Sequence, residues 1–221
     1  VRRALVTFAA GDEFEGLLDL SLPGLEEYAD LHGYDILTAP PRLLTRPPSW
    51  GKITRLLSAL ERYDEALWVD CDVVCLDPAV DVADELGDAW QAISRHRTRE
   101  GEIPSCGLWY VRQSMQPVLE AIWRLDRYTD HPWWEQAALH QLLGYGGRPV
   151  ERQRETALFA HTCWLDPEWH AISLEYPGGL VYPDGDTPER PRFVHAAPGS
   201  PPAVRARMMR DLLERQPVTH G

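Results

Sequence analysis

The segment Ala66-Leu67-Trp68-Val69-Asp70-Cys71-Asp72-Val73-Val74-Cys75-Leu76 constrains the fold more than any other, because its only polar residues are two aspartates. A run this apolar does not suit a surface and reads as a central strand buried on both faces, turned at its end by Asp77-Pro78. Side chains alternate along a strand, so Asp70 and Asp72 are predicted to share one face and Cys71 to take the other. Two unpaired carboxylates about 5 Å apart, at an effective dielectric near 20, repel by roughly 3 kcal/mol, and their desolvation adds to that cost. Strand-end turn chemistry or a side chain such as Arg55 would relieve the repulsion in a purely structural role; otherwise a bound cation must.

The rest of the chain supplies a frame for that strand. Leu5, Val6, Phe8 and Ala9 form a short apolar run that stops at Gly11-Asp12, the pattern of a buried strand followed by a helix start. Phe14, Leu17, Leu18, Leu20, Leu22, Leu25 and Tyr28 recur at near-helical spacing as far as His32-Gly33, and Pro23 is expected to break this helix or open a new first turn. Tyr34 to Thr38 reads as a second strand, and Pro40, Pro41, Pro47 and Pro48 enforce a loop. Trp50, Ile53, Leu56, Leu57, Leu60 and Tyr63 mark one face of a helix for which Ser49 is the expected N-cap; Lys52, Arg55 and Arg62 lie on the other face. Further strands are expected at Ala89–Ile93 and Cys106–Val111, and further helices from Met115 to Leu125 and from about Trp133 to Leu143. Strands alternating with helices imply an α/β fold with a mostly parallel central sheet flanked by helices. Proline and glycine are dense between Tyr176 and Pro202, and helical periodicity returns only at Ala203 to Leu213. This C-terminal segment reads as loop-rich chain wrapped on the sheet, within a single domain covering residues 1–221.

Composition removes several functions. At 221 residues, 44% of them hydrophobic, the chain can bury one sizeable core. Its net charge of -12 disfavours nucleic acid as a partner. No apolar run approaches the roughly 20 residues of a membrane span, and the opening ten residues hold too short an apolar core for a signal peptide, so a soluble, cytoplasmic protein is expected. Cys71, Cys75, Cys106 and Cys163 show neither Cys-x-x-Cys pairs nor zinc-ligand spacing; most are expected to be small buried apolar residues.

Paired carboxylates suit a hard divalent ion, and Mg²⁺ or Mn²⁺ keeps open positions for phosphate oxygens. The triplet is not specific by itself: with 17 aspartates in the chain, chance supplies about 1.3 Asp-x-Asp triplets. Asp184-Gly185-Asp186 is a second one, but Tyr182-Pro183 and Thr187-Pro188 around it describe a turn. Asp70-Cys71-Asp72 stands out through its buried apolar context. Thr7, Phe8 and Ala9 end the first strand, where open α/β sheets bind nucleotides, and are candidates to border a base. Lys52 is the only lysine among 22 basic residues. On the first turn of its helix it either meets phosphate together with free backbone N–H groups or lies on a solvated face.

Trp50-Gly51-Lys52-Ile53, Tyr63-Asp64, the Asp70-Cys71-Asp72 segment and Asp77-Pro78, in this order, resemble the core of the GT-A glycosyltransferases that use nucleotide sugars. The nearest likeness is to the galactosyl- and xylosyltransferase family acting on galactomannan, mannan and xyloglucan. Ser105-Cys106-Gly107-Leu108 resembles that family's Asn-x-Gly strand motif, Glu135-Gln136-Ala137-Ala138-Leu139 its Asp/Glu-Gln segment, and Phe193-Val194-His195-Ala196-Ala197 its late histidine segment; together they cover roughly residues 3 to 198. The resemblance implies that Asp70 and Asp72 hold Mn²⁺ or Mg²⁺ against the diphosphate of a UDP- or GDP-linked sugar, with His195 as a third ligand. It also implies transfer with retention of configuration, and the short, acidic chain suggests a hydroxyl of a soluble small-molecule or glycan acceptor. Retention without an evident nucleophile needs a polar side chain under the sugar, for which Gln136 is the candidate. Inversion would instead need a carboxylate base, from Glu135 or Asp130.

Two departures from the family pattern stand out. Ser105 replaces an asparagine, and Trp169-His170 stands where Trp-Asn is usual. Trp133-Trp134 are candidates for a surface that stacks a sugar ring, or for core. Two other readings compete: a nucleotidyltransferase, which lacks the expected Gly-rich phosphate loop near Thr7 to Gly11, and a noncatalytic carbohydrate-binding protein.

Overall fold

The computed structural model describes residues 1–41, 45–98, 101–147, 150–173 and 188–215. In chain order the elements are β1 (Arg3–Val6), α1 (Asp12–His32), β2 (Tyr34–Leu37), α2 (Gly51–Leu60), β3 (Glu65–Val69), β4 (Val73–Cys75), β5 (Gln91–Thr98) and β6 (Gly101–Arg112). There follow α3 (Gln116–Trp123), α4 (Trp134–Leu143), β7 (Tyr145–Gly146), β8 (Glu151–Arg152), α5 (Ala157–Ala160), β9 (Thr162–Leu165), β10 (Ala171–Ser173), β11 (Phe193–Ala196) and α6 (Pro202–Glu214).

Six strands form the central sheet in the order β2-β1-β3-β6-β5-β9. β1 runs parallel to β2 and β3, and β5 parallel to β9, while β6 is antiparallel to both its neighbours. The expected mostly parallel sheet between helices is therefore present. The strand period of two divides its residues between two cores. Ala4, Val6, Ala66, Trp68, Trp109 and Val111 pack with Trp50, just before α2, with Ile53 and Leu56 of α2 and with Leu119 and Ile122 of α3. Leu5, Leu67, Val69, Leu108 and Tyr110 pack on the other face with Leu25 and Tyr28 of α1.

The segment that opened the sequence reading is not one strand. β3 stops at Val69, Asp70-Cys71-Asp72 forms a turn in which the Val73 N–H donates to the Asp70 carbonyl at 3.0 Å, and β4 then enters a second sheet, β10-β11-β4. Asp70 and Asp72 thus do not project from one face of a strand. The change of sheet has a physical cause: a ladder buried on both faces has no place for two ionised carboxylates, and the turn carries them to its end. β4 pairs antiparallel with β11 so that His195 lies opposite Val73, one residue from Asp72.

Other expectations need correction. Pro23 does not break α1, which is continuous, with Pro23 on its exposed side. A proline inside a helix costs about 3 kcal/mol, and burial of Leu17, Leu25 and Tyr28, about 1.5–3 kcal/mol each, offsets it. Ser49 is not an N-cap: a 3₁₀ turn (Pro48–Trp50) leads directly into α2, and the Ser49 hydroxyl is buried without a hydrogen-bond partner among the described residues. Lys52 is on no solvated face but is buried. β5 and β6 extend well beyond the expected strands, through residues paired with each other whose buried polar side chains, among them Ser94, His96 and Ser105, interrupt the apolar pattern. Of the four free cysteines only Cys75 and Cys106 are buried. Within the C-terminal segment, β10, β11 and α6 pack with β4 and α1 around Val74, Val194, Met209 and Leu17; Asp184-Gly185-Asp186 lies outside the described residues.

Candidate active site

The turn after β3 is anchored by the Asp70 N–H, which donates to the Gly107 carbonyl of β6 at 2.8 Å. The Asp70 carboxylate accepts the Trp68 indole N–H at 2.6 Å and faces the Lys52 ammonium at 3.0 Å. Lys52 reaches this point from the first turn of α2. Its neighbour Gly51 is required there, since a side chain would meet the Phe8 ring at 2.5 Å. The ammonium also donates to the Cys106 carbonyl at 2.9 Å and pairs with Glu135 Oε1, from α4, at 3.1 Å. Burial works against the Lys52 charge, but Asp70, Cys106 and Glu135 outweigh it and hold its pKa well above the usual lysine value. Glu135 is pushed the other way: burial raises its pKa despite Lys52, and Asp70 adds to the rise. One cation serves two carboxylates here, and Glu135 Oε2 has no hydrogen-bond partner among the described residues.

Asp72 lies two residues on in an almost opposite setting. Its Oδ1 is 3.1 Å from His195 Nε2, and its Oδ2 accepts from the Arg205 guanidinium of α6 at 2.6 Å. Burial opposes its charge, yet His195 and Arg205 hold its pKa below the usual carboxylate value. His195 is raised, the attraction of Asp72 exceeding the burial penalty. The repulsion expected between the aspartates is thus balanced by Lys52 on one and Arg205 on the other, and Arg55 takes part in neither pairing.

One ligand atom each from Asp70, Asp72 and His195 lie within 4.8 Å of one another. Two carboxylate oxygens and an imidazole nitrogen form a donor set suited to Mn²⁺ or Mg²⁺. The donors come from two parts of the chain that meet through the β4–β11 pairing, so the fit depends on the fold.

These groups line a cleft of about 810 Å³ at the carboxyl ends of β1 and β3. Of the residues singled out in the sequence, Phe8, Ala9, Lys52, Asp70, Cys71, Asp72, Glu135, Gln136 and His195 all border it. Thr7 does not: it is fully buried, its N–H donating to the Leu37 carbonyl at 3.1 Å. The first strand ends at Val6, so Phe8 and Ala9 belong to the loop after it. Gln136 lies beside Cys106, its Oε1 3.4 Å from the Cys106 nitrogen. Trp133 packs partly against the core, whereas Trp134 is 40% exposed at the cleft with φ of 39°. Asp130 is exposed and does not border the cleft. Sequence reasoning missed Arg205, which α6 places by packing on α1, and Phe14, over whose ring the Arg205 guanidinium sits at 5.8 Å. Periodicity placed Phe14 on the apolar face of its helix, but no local pattern marks either residue as part of a site.

No protein-family model matches the chain, and no curated protein does. Solved structures do. A glycosyltransferase involved in the glycosylation of the major capsid of PBCV-1 shares 18% identity at a TM-score of 0.63, covering 96% of this chain and 100% of that one. An active-site variant of LgtC shares 13% identity at a TM-score of 0.53, covering 95% of each chain. The glycosyltransferase GlyE of Streptococcus pneumoniae shares 12% identity at a TM-score of 0.52, covering 97% of this chain and 63% of that one. The fold is that of the GT-A glycosyltransferases. No helix among the described residues is long and apolar enough to cross a membrane.

Proposed function

We propose that this chain is a metal-dependent glycosyltransferase that moves a sugar from a UDP- or GDP-linked donor to a hydroxyl of a small-molecule or glycan acceptor, with retention. The observation that carries the reading is the convergence of Asp70, Asp72 and His195 at the carboxyl end of a GT-A sheet, where such sheets bind nucleotides. These three residues would hold Mn²⁺ or Mg²⁺. The ion supplies Lewis acidity that neutralises charge on a departing nucleoside diphosphate.

The protein's own groups do the remaining work. Phe8 and Ala9 border the base, with Thr7 supporting them from behind. The Arg205 guanidinium, on the cleft wall beside Asp72, offers a planar fork to phosphate oxygens. Lys52 is too tightly engaged to act as a mobile phosphate ligand; it fixes Asp70 and Glu135 and keeps the cleft floor from accumulating negative charge. Gln136 presents a neutral amide under the sugar, consistent with retention, while Cys71 contributes backbone to the turn. Inversion would use Glu135, whose raised pKa suits a base. Trp134 gives the acceptor an aromatic face.

The test is a thermal shift with UDP- and GDP-sugars, with and without Mn²⁺, followed by product analysis. A metal-dependent rise in Tm and slow hydrolysis of the nucleotide sugar are expected. Release of pyrophosphate from a nucleoside triphosphate would instead establish a nucleotidyltransferase, and sugar binding without turnover a binding protein.

A further inference from the structure

Behind the cleft, His195 is followed by a row of buried polar side chains that have no part in the function above. His195 turns Nε2 to Asp72, but its Nδ1 is buried and has no hydrogen-bond partner among the described residues. The same holds for Nε2 of His170, a fully buried residue just before β10. Their rings are 5.5 Å apart. A methyl group on Gly107 would lie 2.7 Å from His195 Nδ1 and 3.0 Å from His170 Nε2, so both nitrogens face the same bare flank of β6. On its far side His170 Nδ1 is 2.8 Å from Ser94 Oγ, which is 3.3 Å from Nε2 of the buried His96.

We propose that these groups form one directed hydrogen-bond relay in which His170 is a positioning residue for His195. His195 Nδ1–H donates across Gly107 to His170 Nε2, His170 Nδ1–H donates to Ser94 Oγ, and the Ser94 hydroxyl donates to His96 Nε2. The direction is the same whether the first contact is direct or passes through one buried water, because a water accepts one bond and donates the next. His170 and the Ser94 hydroxyl each use one donor and one acceptor, and the two orphaned nitrogens are joined directly or through that water. The reverse direction would place a proton on His195 Nε2 and aim that proton at Asp72, leaving the lone pair facing inward. The forward direction keeps a proton on Nδ1, so that Nε2, 3.1 Å from Asp72 Oδ1, can give up its own proton and present its lone pair to a metal. Histidine ligands hold their ligating tautomer through a bond from the other ring nitrogen, and loss of such a partner typically weakens metal binding by about 10–100-fold.

This inference rests on His195 being a metal ligand, so the experiment separates the two. Long-range ¹H–¹⁵N NMR of the metal-free wild-type protein reads the tautomer of His170 without any metal. Nδ1–H with bare Nε2 is expected; Nε2–H would overturn the relay. Mn²⁺ titration calorimetry then compares the wild type with His170→Leu and His170→Asn, with Tm as a check on folding. About 10–100-fold weaker Mn²⁺ binding is expected for His170→Leu. Near wild-type binding is expected for His170→Asn, whose carbonyl can accept from His195 and whose amide can donate to Ser94. Unchanged affinity in His170→Leu, or equal losses in both variants, would overturn the positioning role. A wild-type protein that binds no Mn²⁺ would overturn the metal-site reading, while the NMR result would still decide the relay.

Discussion

Asp70 and Asp72 share one turn, yet the protein solves their charge in opposite ways. Asp70 belongs to a cluster in which a single ammonium, Lys52, serves two carboxylates, the second being Glu135. Asp72 belongs to a cluster in which a single carboxylate serves an imidazole and a guanidinium. The first is assembled by α2, α4 and β6 around the core, and Lys52 and Glu135 are both buried. The second is closed by the C-terminal segment, through β11 and α6. An acidic cluster thus lies beside a cation-rich one, and the two are built by different parts of the chain.

Removing the shared cation is expected to have the largest effect. Lys52→Met leaves the buried Glu135 and the half-buried Asp70 without their cation, and breaking a buried ion pair from one side costs about 3–5 kcal/mol. Denaturant unfolding checks this; a loss under about 1 kcal/mol would show that Lys52 behaves as a surface lysine. Asp72→Asn comes next. It keeps the shape of the side chain but loses the charge that binds two cationic partners, at a cost of about 1–3 kcal/mol. The smaller figure reflects Arg205, whose side chain is 17% exposed and can turn toward water.

Acid distinguishes the clusters by sign. Asp72 is depressed in the fold, so its contribution is present above the unfolded carboxylate pKa and is lost as pH falls from about 4 through its folded value. Glu135 is raised, so the folded protein takes up its proton first and the burial penalty is relieved as pH falls. In unfolding measurements between pH 5 and pH 3, Asp72→Asn should flatten the loss of stability and Glu135→Gln should steepen it; the same change in both variants would erase the distinction. His140, held near pKa 4 by burial although it bonds the Pro104 carbonyl, adds a separate loss as pH falls below about 6.5. His140→Gln should remove that component.

The smallest expected effect is that of Glu135→Gln at neutral pH. Lys52 retains Asp70 as a partner and one buried charge disappears, so stability should change by under about 1 kcal/mol, or rise. In the double variant with Lys52→Met, part of the lysine's cost should be recovered, which a double-mutant cycle measures.

The contrast between the clusters also marks what the sequence could convey. The α/β order, most helices and the Asp70–Asp72 pair were legible because apolar periodicity and turn residues are local signals. Lys52 was conspicuous as the only lysine, but its burial was not, since nothing local distinguishes a helix face that meets water from one that meets Asp70. Arg205 was invisible for the same reason: its place depends on α6 packing against α1. The one-strand reading of Ala66 to Leu76 failed because apolar runs do not record a change of sheet. The inward polar residues of β5, Ser94 and His96, hid half of that strand, as did Pro104 for β6. His195 was named through a resemblance, and its proximity to Asp72 comes from the β4–β11 register.

The central claim, that both clusters meet around a divalent ion holding a nucleoside diphosphate, is tested most directly by Mn²⁺ electron paramagnetic resonance with UDP and GDP. Wild-type protein should bind Mn²⁺ more tightly when one of the nucleotides is present, and Asp72→Asn should lose this binding while remaining folded by circular dichroism. Mn²⁺ binding that is absent from the wild type, or equal in the wild type and folded Asp72→Asn, would contradict it.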